Sequence, residues 1–285
     1  MIQFTKRNLK VFFKDKTAVF FSLLAVFIVL GLYILFLGDV WMDGMKDITD
    51  ARPLMDSWIM AGLLGVTSVT TTMGAFGNMI EDRSKKITKD FYTAPVKRSS
   101  IVGGYILSSV VIGIVMSLVT LIIAEIYLYS TGAVLLDPVK LLKVFVVILL
   151  TTLANSAMLL FLVSFFKSEK AYSTASTIIG TLIGFLTGIY LPIGVLPDAV
   201  QLIIKIFPPS HGVILFRQLM MDEQLDISFE GIPNQYLSDF QEEMGVIFKF
   251  GDNVLSQGTS YAILLGTTVI FFLLSVAVIS RKKAS

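Results

Sequence analysis

The sequence contains no cysteine and a single histidine in 285 residues. The first absence excludes a disulfide framework and thiol chemistry. The second excludes a histidine-based metal site or an H-E-x-x-H motif, because His211 stands alone. Charge is scarce too: Asp, Glu, Lys and Arg make up 15% of the chain, against about 25% in a soluble domain. No glycine is followed by lysine, so there is no G-x-x-x-x-G-K-S/T loop to hold nucleotide phosphates. No G-x-S-x-G elbow occurs, and no acid within an apolar run is paired with a base. Any work the chain performs must draw its energy from a partner or an ion gradient.

Apolar residues fill the space left by these absences, at 55% of the chain and a mean hydropathy of +0.80. A run of about 20 apolar residues covers a hydrocarbon core of about 30 Å at about 1.5 Å per helical residue. Six stretches qualify, over about 17–38, 57–80, 101–132, 144–166, 172–196 and 258–280. The first lacks a small-residue cleavage site and exceeds the apolar core of a signal peptide, so it reads as an anchor. The expected fold is therefore an all-α polytopic membrane protein with six transmembrane helices in one domain, 1–285. The third stretch is long enough to be two half-helices.

Lys and Arg in the short flanks set the orientation. Sixteen of the 23 fall in the N-terminal segment, the 81–100 loop, the 167–171 turn and the C-terminal tail, with five acids among them. Both termini and 81–100 are thus expected in the cytoplasm, and 39–53, 133–140 and 198–257 outside. The segment 1–16 is amphipathic: Ile2, Leu9 and Phe12 or Phe13 fall near one helical face. It reads as an interfacial helix along the inner leaflet, or as a charged tether that fixes topology.

Within the runs, Thr67, Ser68, Thr70, Thr71 and Thr72 are followed by Asn78 in the second span. Two readings stand: helix packing through hydroxyls, or a polar substrate path carried by Thr67, Thr70, Thr71 and Asn78. In the fifth span Gly180, Gly184 and Gly188 form a G-x-x-x-G-x-x-x-G face that brings helices close, within the chain or across a dimer. Glu125 is the ionisable residue inside a run. A buried carboxylate there would be a functional candidate, but it lies 24 positions past Ile101, about 36 Å along a helix, near the outer interface, where it reads as a hydrated anchor. Between the fifth and sixth spans, two half-length apolar helices flank Pro208-Pro209, as in a re-entrant hairpin. Residues 222–257 then carry eight acids against Lys249 alone, suiting a solvated external cap.

The segment "EDRSKKITKDFYTAPVKRSS", 81–100, is cytoplasmic on this reading and carries six cations. "ITKDFYTAPVKR" forms a short amphipathic helix that ends at Ala94-Pro95. Glu81, the helix and "TAPVKR" together resemble the loop between spans two and three in the permease subunits of type-2 ABC exporters, the ABC-2 family. "LP…IIKIFPPSHGVILFR", 196–217, resembles that family's outer re-entrant region. The chain departs from many relatives in having Lys86-Ile87 where they carry Gly-Thr.

The resemblance implies that 81–100 is a coupling helix docking on a separate ATP-hydrolysing subunit, through Glu81, Asp82, Ile87, Phe91, Tyr92, Pro95 and Arg98. It implies two ATPase copies and a second permease chain, identical or paralogous, with spans two and five near the dimer axis and export by alternating access. The location implied is a bacterial or archaeal inner or plasma membrane, with the lipid bilayer as a further partner and no nucleic acid. No catalytic residue, metal or cofactor is expected in this chain; ATP and Mg would sit on the partner. The alternatives are a gradient-driven secondary transporter and a non-transporting membrane scaffold or sensor. The first would need midplane carboxylates or paired broken helices, and neither occurs in the sequence.

Overall fold

A computed structural model describes residues 1–43, 45, 48–93, 98–166, 168–251 and 253–281. Helix dominates, and the sheet among the described residues is a pair of two-residue strands, β1 (Lys249–Phe250) and β2 (Asn253–Val254). The chain is an all-α polytopic protein. Five helical stretches among the described residues are long and apolar enough to cross a membrane: Lys16–Met42, Ala51–Ser84, Ser100–Thr131, Pro138–Val163 and Gln257–Val278.

Side-chain caps set three of the helix starts among the described residues, those at Lys16, Pro138 and Glu169. Helix α1 (Ile2–Lys14) gives way to α2 (Lys16–Leu32), which begins where the Asp15 carboxylate accepts the Ala18 N–H at 2.9 Å. A π-helical turn over Tyr33–Leu37 leads into α3 (Gly38–Asp43). Helix α4 (Ala51–Ser84) is followed by α5 (Ile87–Thr93) and by α6 (Arg98–Thr131), which is continuous and not two half-helices. Asp137 caps α7 (Pro138–Val163) by accepting from Val139 and Lys140, with Pro138 at the first position.

Helix α8 (Glu169–Leu186) stops ten residues before the expected end of the fifth span. Gly188 takes a left-handed conformation at φ +63° and Pro192 follows, so the backbone leaves the helical path. Helices α9 (Asp198–Ile206) and α10 (Pro208–Met220) meet at 87° around Pro208-Pro209, and the pair is long and apolar enough for a broken span or re-entrant loop. Two short helices, α11 (Asp222–Ser228) and α12 (Asn234–Glu243), precede the strand pair and the last helix, α13 (Gln257–Arg281).

Helix α4 is the axis of the structure. It packs against α2, α6, α7, α8 and α10, and nearly every residue from Leu54 to Phe76 is buried. Helix α10 lies between α4 and α7 because two glycines leave room. A Cβ at Gly65 would sit 2.1 Å from the Val213 side chain, and one at Gly212 would sit 2.1 Å from Thr151. The outer surfaces of α2 and α13 are apolar and exposed, with Phe20, Phe21, Leu265, Phe272 and Leu273 among them, as lipid contact requires.

Residue size at the two glycines sets the distance between α10 and its neighbours. Gly65→Leu and Gly212→Leu should each cost about 1–3 kcal/mol by overpacking. Gly180→Ala, whose new Cβ meets nothing within 4 Å, should stay within about 0.5 kcal/mol of wild type or gain slightly. Thermal unfolding of the chain in nanodiscs ranks the three. A Gly65→Leu chain as stable as Gly180→Ala would contradict this packing.

Candidate functional site

Two clusters of polar side chains mark the ends of α4. At its C-terminal end Asp82 is buried, with 3% of its surface exposed. Its carboxylate accepts two hydrogen bonds from the Arg7 guanidinium, one of them at 2.7 Å, and a third from the Tyr105 hydroxyl at 2.6 Å. The hydrogen bond to Asp82 raises the Arg7 pKa further above its ordinary value. Helix α1 is thereby fastened to α4 and α6. Asn8 adds a bond to Ser108 at 3.4 Å, and Asn78 donates to the Asn8 carbonyl at 3.4 Å.

This docking sets which side of the N-terminal helix faces protein. Thr5, Asn8 and Phe12 are its buried residues, and Leu9 packs against the core, whereas Ile2, Val11 and Phe13 are exposed. Leu9 and Phe12 therefore face protein. Ile2 and Phe13 flank this buried face on one side and Val11 on the other.

Helix α5 rests on the same node. The Phe91 ring is half-buried, edge-on to Phe4 at 5.0 Å, with the Arg7 guanidinium 5.3 Å from its centroid. Ile87 is half-buried as well, and Asp90 is exposed. Glu81 lies at the surface and pairs with Lys85, a hydrogen bond that raises the Lys85 pKa. Arg83 donates to the Phe166 carbonyl at 2.7 Å, joining the end of α4 to the turn after α7. Pro95 and the side chains of Tyr92 and Arg98 lie outside the described residues. Between α4 and α5, Lys86 has φ +61°, a left-handed conformation that favours glycine. The turn thus holds a glycine-type backbone at Lys86.

The hydroxyl run of α4 is used for packing. Thr67 and Thr71 are fully buried, and each donates to the carbonyl four residues back at 2.7 Å. Thr67 also meets Thr120 of α6 at 3.1 Å, Ser68 accepts from Asn155 of α7 at 2.9 Å, and Thr70 reaches the Ser22 carbonyl of α2 at 3.3 Å. Thr67 and Thr71 are both turned into the helix packing of the single chain. Thr70 and Asn78 keep partial exposure. Exposed hydroxyls lie instead on α8, at Ser173, Thr174, Thr177 and Thr181, beside the exposed Ile178, Leu182 and Phe185.

The three glycines of α8 do not act as one face. Gly180 borders open space, Gly184 is covered by the ring of Tyr190 from the turn after the helix, and Gly188 is the helix terminator. Among the described residues, the nearest neighbours of Gly184 and Gly188 thus come from the turn that follows α8.

At the N-terminal end of α4 the sequence reading missed Asp56. It is fully buried, accepts from Tyr33 at 2.7 Å and Tyr127 at 3.2 Å, and lies 3.4 Å from Arg52, which also binds Asp39 at 2.8 Å. The π-helical turn brings the Tyr33 hydroxyl onto this carboxylate. Glu125 is half-buried and accepts from the Leu136 N–H at 3.3 Å, a structural anchor for the turn after α6. His211 bridges Ser260 of α13 and the Lys205 carbonyl of α9 across the α9–α10 bend. No group of three or more metal-ligating side chains occurs among the described residues.

Comparison with known proteins gives one finding of identity. A family model described as ABC-2 family transporter protein matches residues 54–277, from the fourth residue of α4 almost to the end of α13. None of the curated proteins compared with the chain matches it.

The difference between the two adjacent acids is directly measurable. Asp82→Asn removes the charge that holds Arg7 and should cost about 2 kcal/mol, the range of a hydrogen bond to a charged group at a partly exposed partner. Glu81→Gln should cost under about 0.5 kcal/mol. The Asp82→Asn chain should also release α1, seen as faster tryptic cleavage after Lys10 and Lys14. Equal stability and equal cleavage in the two variants would contradict the node.

Proposed function

Since the chain belongs to the ABC-2 family of transporter proteins, we propose that it is the membrane-spanning subunit of an ATP-driven exporter, with hydrolysis on a separate ATPase that docks on α5. The subunit itself carries no catalytic site on this reading; ATP and Mg belong to the partner. One observation carries the proposal: the short helix α5 lies outside the stretches long and apolar enough to span, and is joined through Phe91, Phe4, Arg7 and Asp82 to α1, α4 and α6. A force applied at α5 therefore reaches the buried axis of the bundle directly.

The cation-rich end of the molecule is assigned to the cytoplasm and the cap 222–257 to the outside, in a bacterial or archaeal inner or plasma membrane. Two permease chains, identical or paralogous, with two ATPases would enclose the path. The exposed hydroxyl face of α8 is the surface this reading turns toward that path, since hydroxyls are better placed against a polar route than against lipid tails. ATP-driven approach of the ATPases would move α5 and shift the path between inward-open and outward-open.

A gradient-driven transporter is the second reading, favoured by the buried Asp56. Its engagement by Arg52, Tyr33 and Tyr127 supports a structural anchor over a transported-ion ligand.

Orientation has a clean test, because the absence of native cysteine removes background labelling. Asp90→Cys should resist an impermeant maleimide applied to intact cells, and Gln235→Cys should react. The reverse pattern would overturn the topology. Coupling has its own test in the reconstituted complex. Phe91→Ala removes an aromatic anchor, a change commonly worth about 2 kcal/mol or more at an interface, and should leave assembly intact while ATP hydrolysis no longer drives export. Lys89→Ala should be mild. If the loop served only topology the ranking would reverse, so normal coupling in Phe91→Ala would refute the assignment.

A further inference from the structure

At the end of α4 opposite Asp82, three consecutive backbone carbonyls of one external strap are each held by a side chain from the membrane helices. Trp58 of α4 donates its indole N–H to Met244 at 2.7 Å, Arg217 of α10 donates to Gly245 at 3.2 Å, and Gln218 of α10 donates to Val246 at 2.9 Å. Arg217 also donates to the Gly188 carbonyl just beyond α8 at 2.7 Å, and its guanidinium stacks 4.4 Å from the Trp58 ring. The strap fits closely: Gly245 has φ +65°, and a Cβ on it would sit 3.0 Å from Arg217 and 2.4 Å from Ile193.

Arg217 is 1% exposed and forms no ion pair among the described residues. Burying a guanidinium without a counter-anion is costly, and a neutral amide would staple the strap at less cost. The polar balance is also incomplete in the closed form, because Arg217 Nε and Gln218 Oε1 are both buried without a hydrogen-bond partner. Carbonyl oxygens and a ring face substitute for an anion here. A phosphate or carboxylate would satisfy the same donors better, since an Arg fork bonds an oxyanion bidentately and more strongly than it bonds a neutral carbonyl.

We infer that the strap 244–246 is a gate occupying, in its closed form, an exit site for an amphiphile with an anionic headgroup. Lifting the strap frees the Arg217, Gln218 and Trp58 donors together. The headgroup oxygens then take the places of the three carbonyls, and the Trp58 ring flanks the first methylenes of the tail. This inference rests on the exporter reading and narrows its substrate to anionic amphiphiles, without depending on how ATP is coupled.

The test uses the full chain in phosphatidylcholine nanodiscs without any ATPase. Trp41→Phe leaves Trp58 as the sole tryptophan, and Val246→Cys, buried in the closed strap, supplies a labelling site. Dodecyl phosphate should shift Trp58 emission saturably and raise maleimide labelling at position 246 at least fivefold. Dodecyl maltoside and dodecyltrimethylammonium should do neither. Arg217→Gln should weaken the dodecyl phosphate response at least tenfold. Should that variant fail to fold, Gln218→Ala keeps the guanidinium and should raise basal labelling of the strap. Equal responses to the three amphiphiles, an unchanged Arg217→Gln titration, or unchanged strap labelling in Gln218→Ala would overturn the inference. Because no ATPase is present, such a failure leaves ATP-driven export standing, and a failure of ATPase docking leaves this binding result standing.

Discussion

A carboxylate can be buried only with its charge answered, and at Asp82 that requirement organises one whole end of the molecule. The two Arg7 bonds bring α1 onto α4, the Tyr105 bond brings α6 to the same point, and the rest of the guanidinium covers Phe91 of α5. Four helices converge on one ion pair. Removing a partner from such a node costs more than the bond itself, because the remaining charge stays partly desolvated. On the proposed function this node is also the transmission element between an ATPase bound at α5 and the axis of the bundle.

The axis is suited to transmit motion as a unit. Helix α4 runs unbroken for 34 residues, and its hydroxyls bond back to its own carbonyls while meeting α6 and α7 sideways. No polar group there asks for a break in the helix. Its other end is anchored differently, by Asp56 between Arg52 and two tyrosines, and by Trp58 beneath the strap. The Asp82 node and the contact with the strap thus lie on one continuous helix.

Long-period features were legible in the sequence and short-range polar burial was not. Hydropathy located the continuous spans, and Pro208-Pro209 located the 87° bend. The early end of α8 escaped hydropathy, since Gly188 and Pro192 stop a helix inside an apolar run. Asp56 was missed because it sits one residue before the apolar stretch read as beginning at 57, where a charge looks solvated. The buried side of α1 was only partly legible: Thr5 and Asn8 are polar, Thr5 being satisfied by the Met1 carbonyl one turn back, while Asn8 also draws on Ser108 and Asn78, about 100 and 70 residues away. The hydroxyls of α4 were legible as a run, with packing and a polar path as its two readings. Only the neighbouring helices decide between packing and path, and composition carries no trace of them. Lys86 shows the same limit, as its left-handed backbone is visible only in the structure.

The central claim is that α5 is the surface through which another protein drives this one. A photo-reactive amino acid placed at Asp90, exposed on α5, tests it most directly when the chain is cross-linked in its native membrane and the product is identified by mass spectrometry. The account predicts an adduct with an ATP-binding protein at Asp90 and no such adduct at Tyr236, which is exposed on α12 at the other end. An ATP-binding protein captured at Tyr236 and not at Asp90 would contradict it.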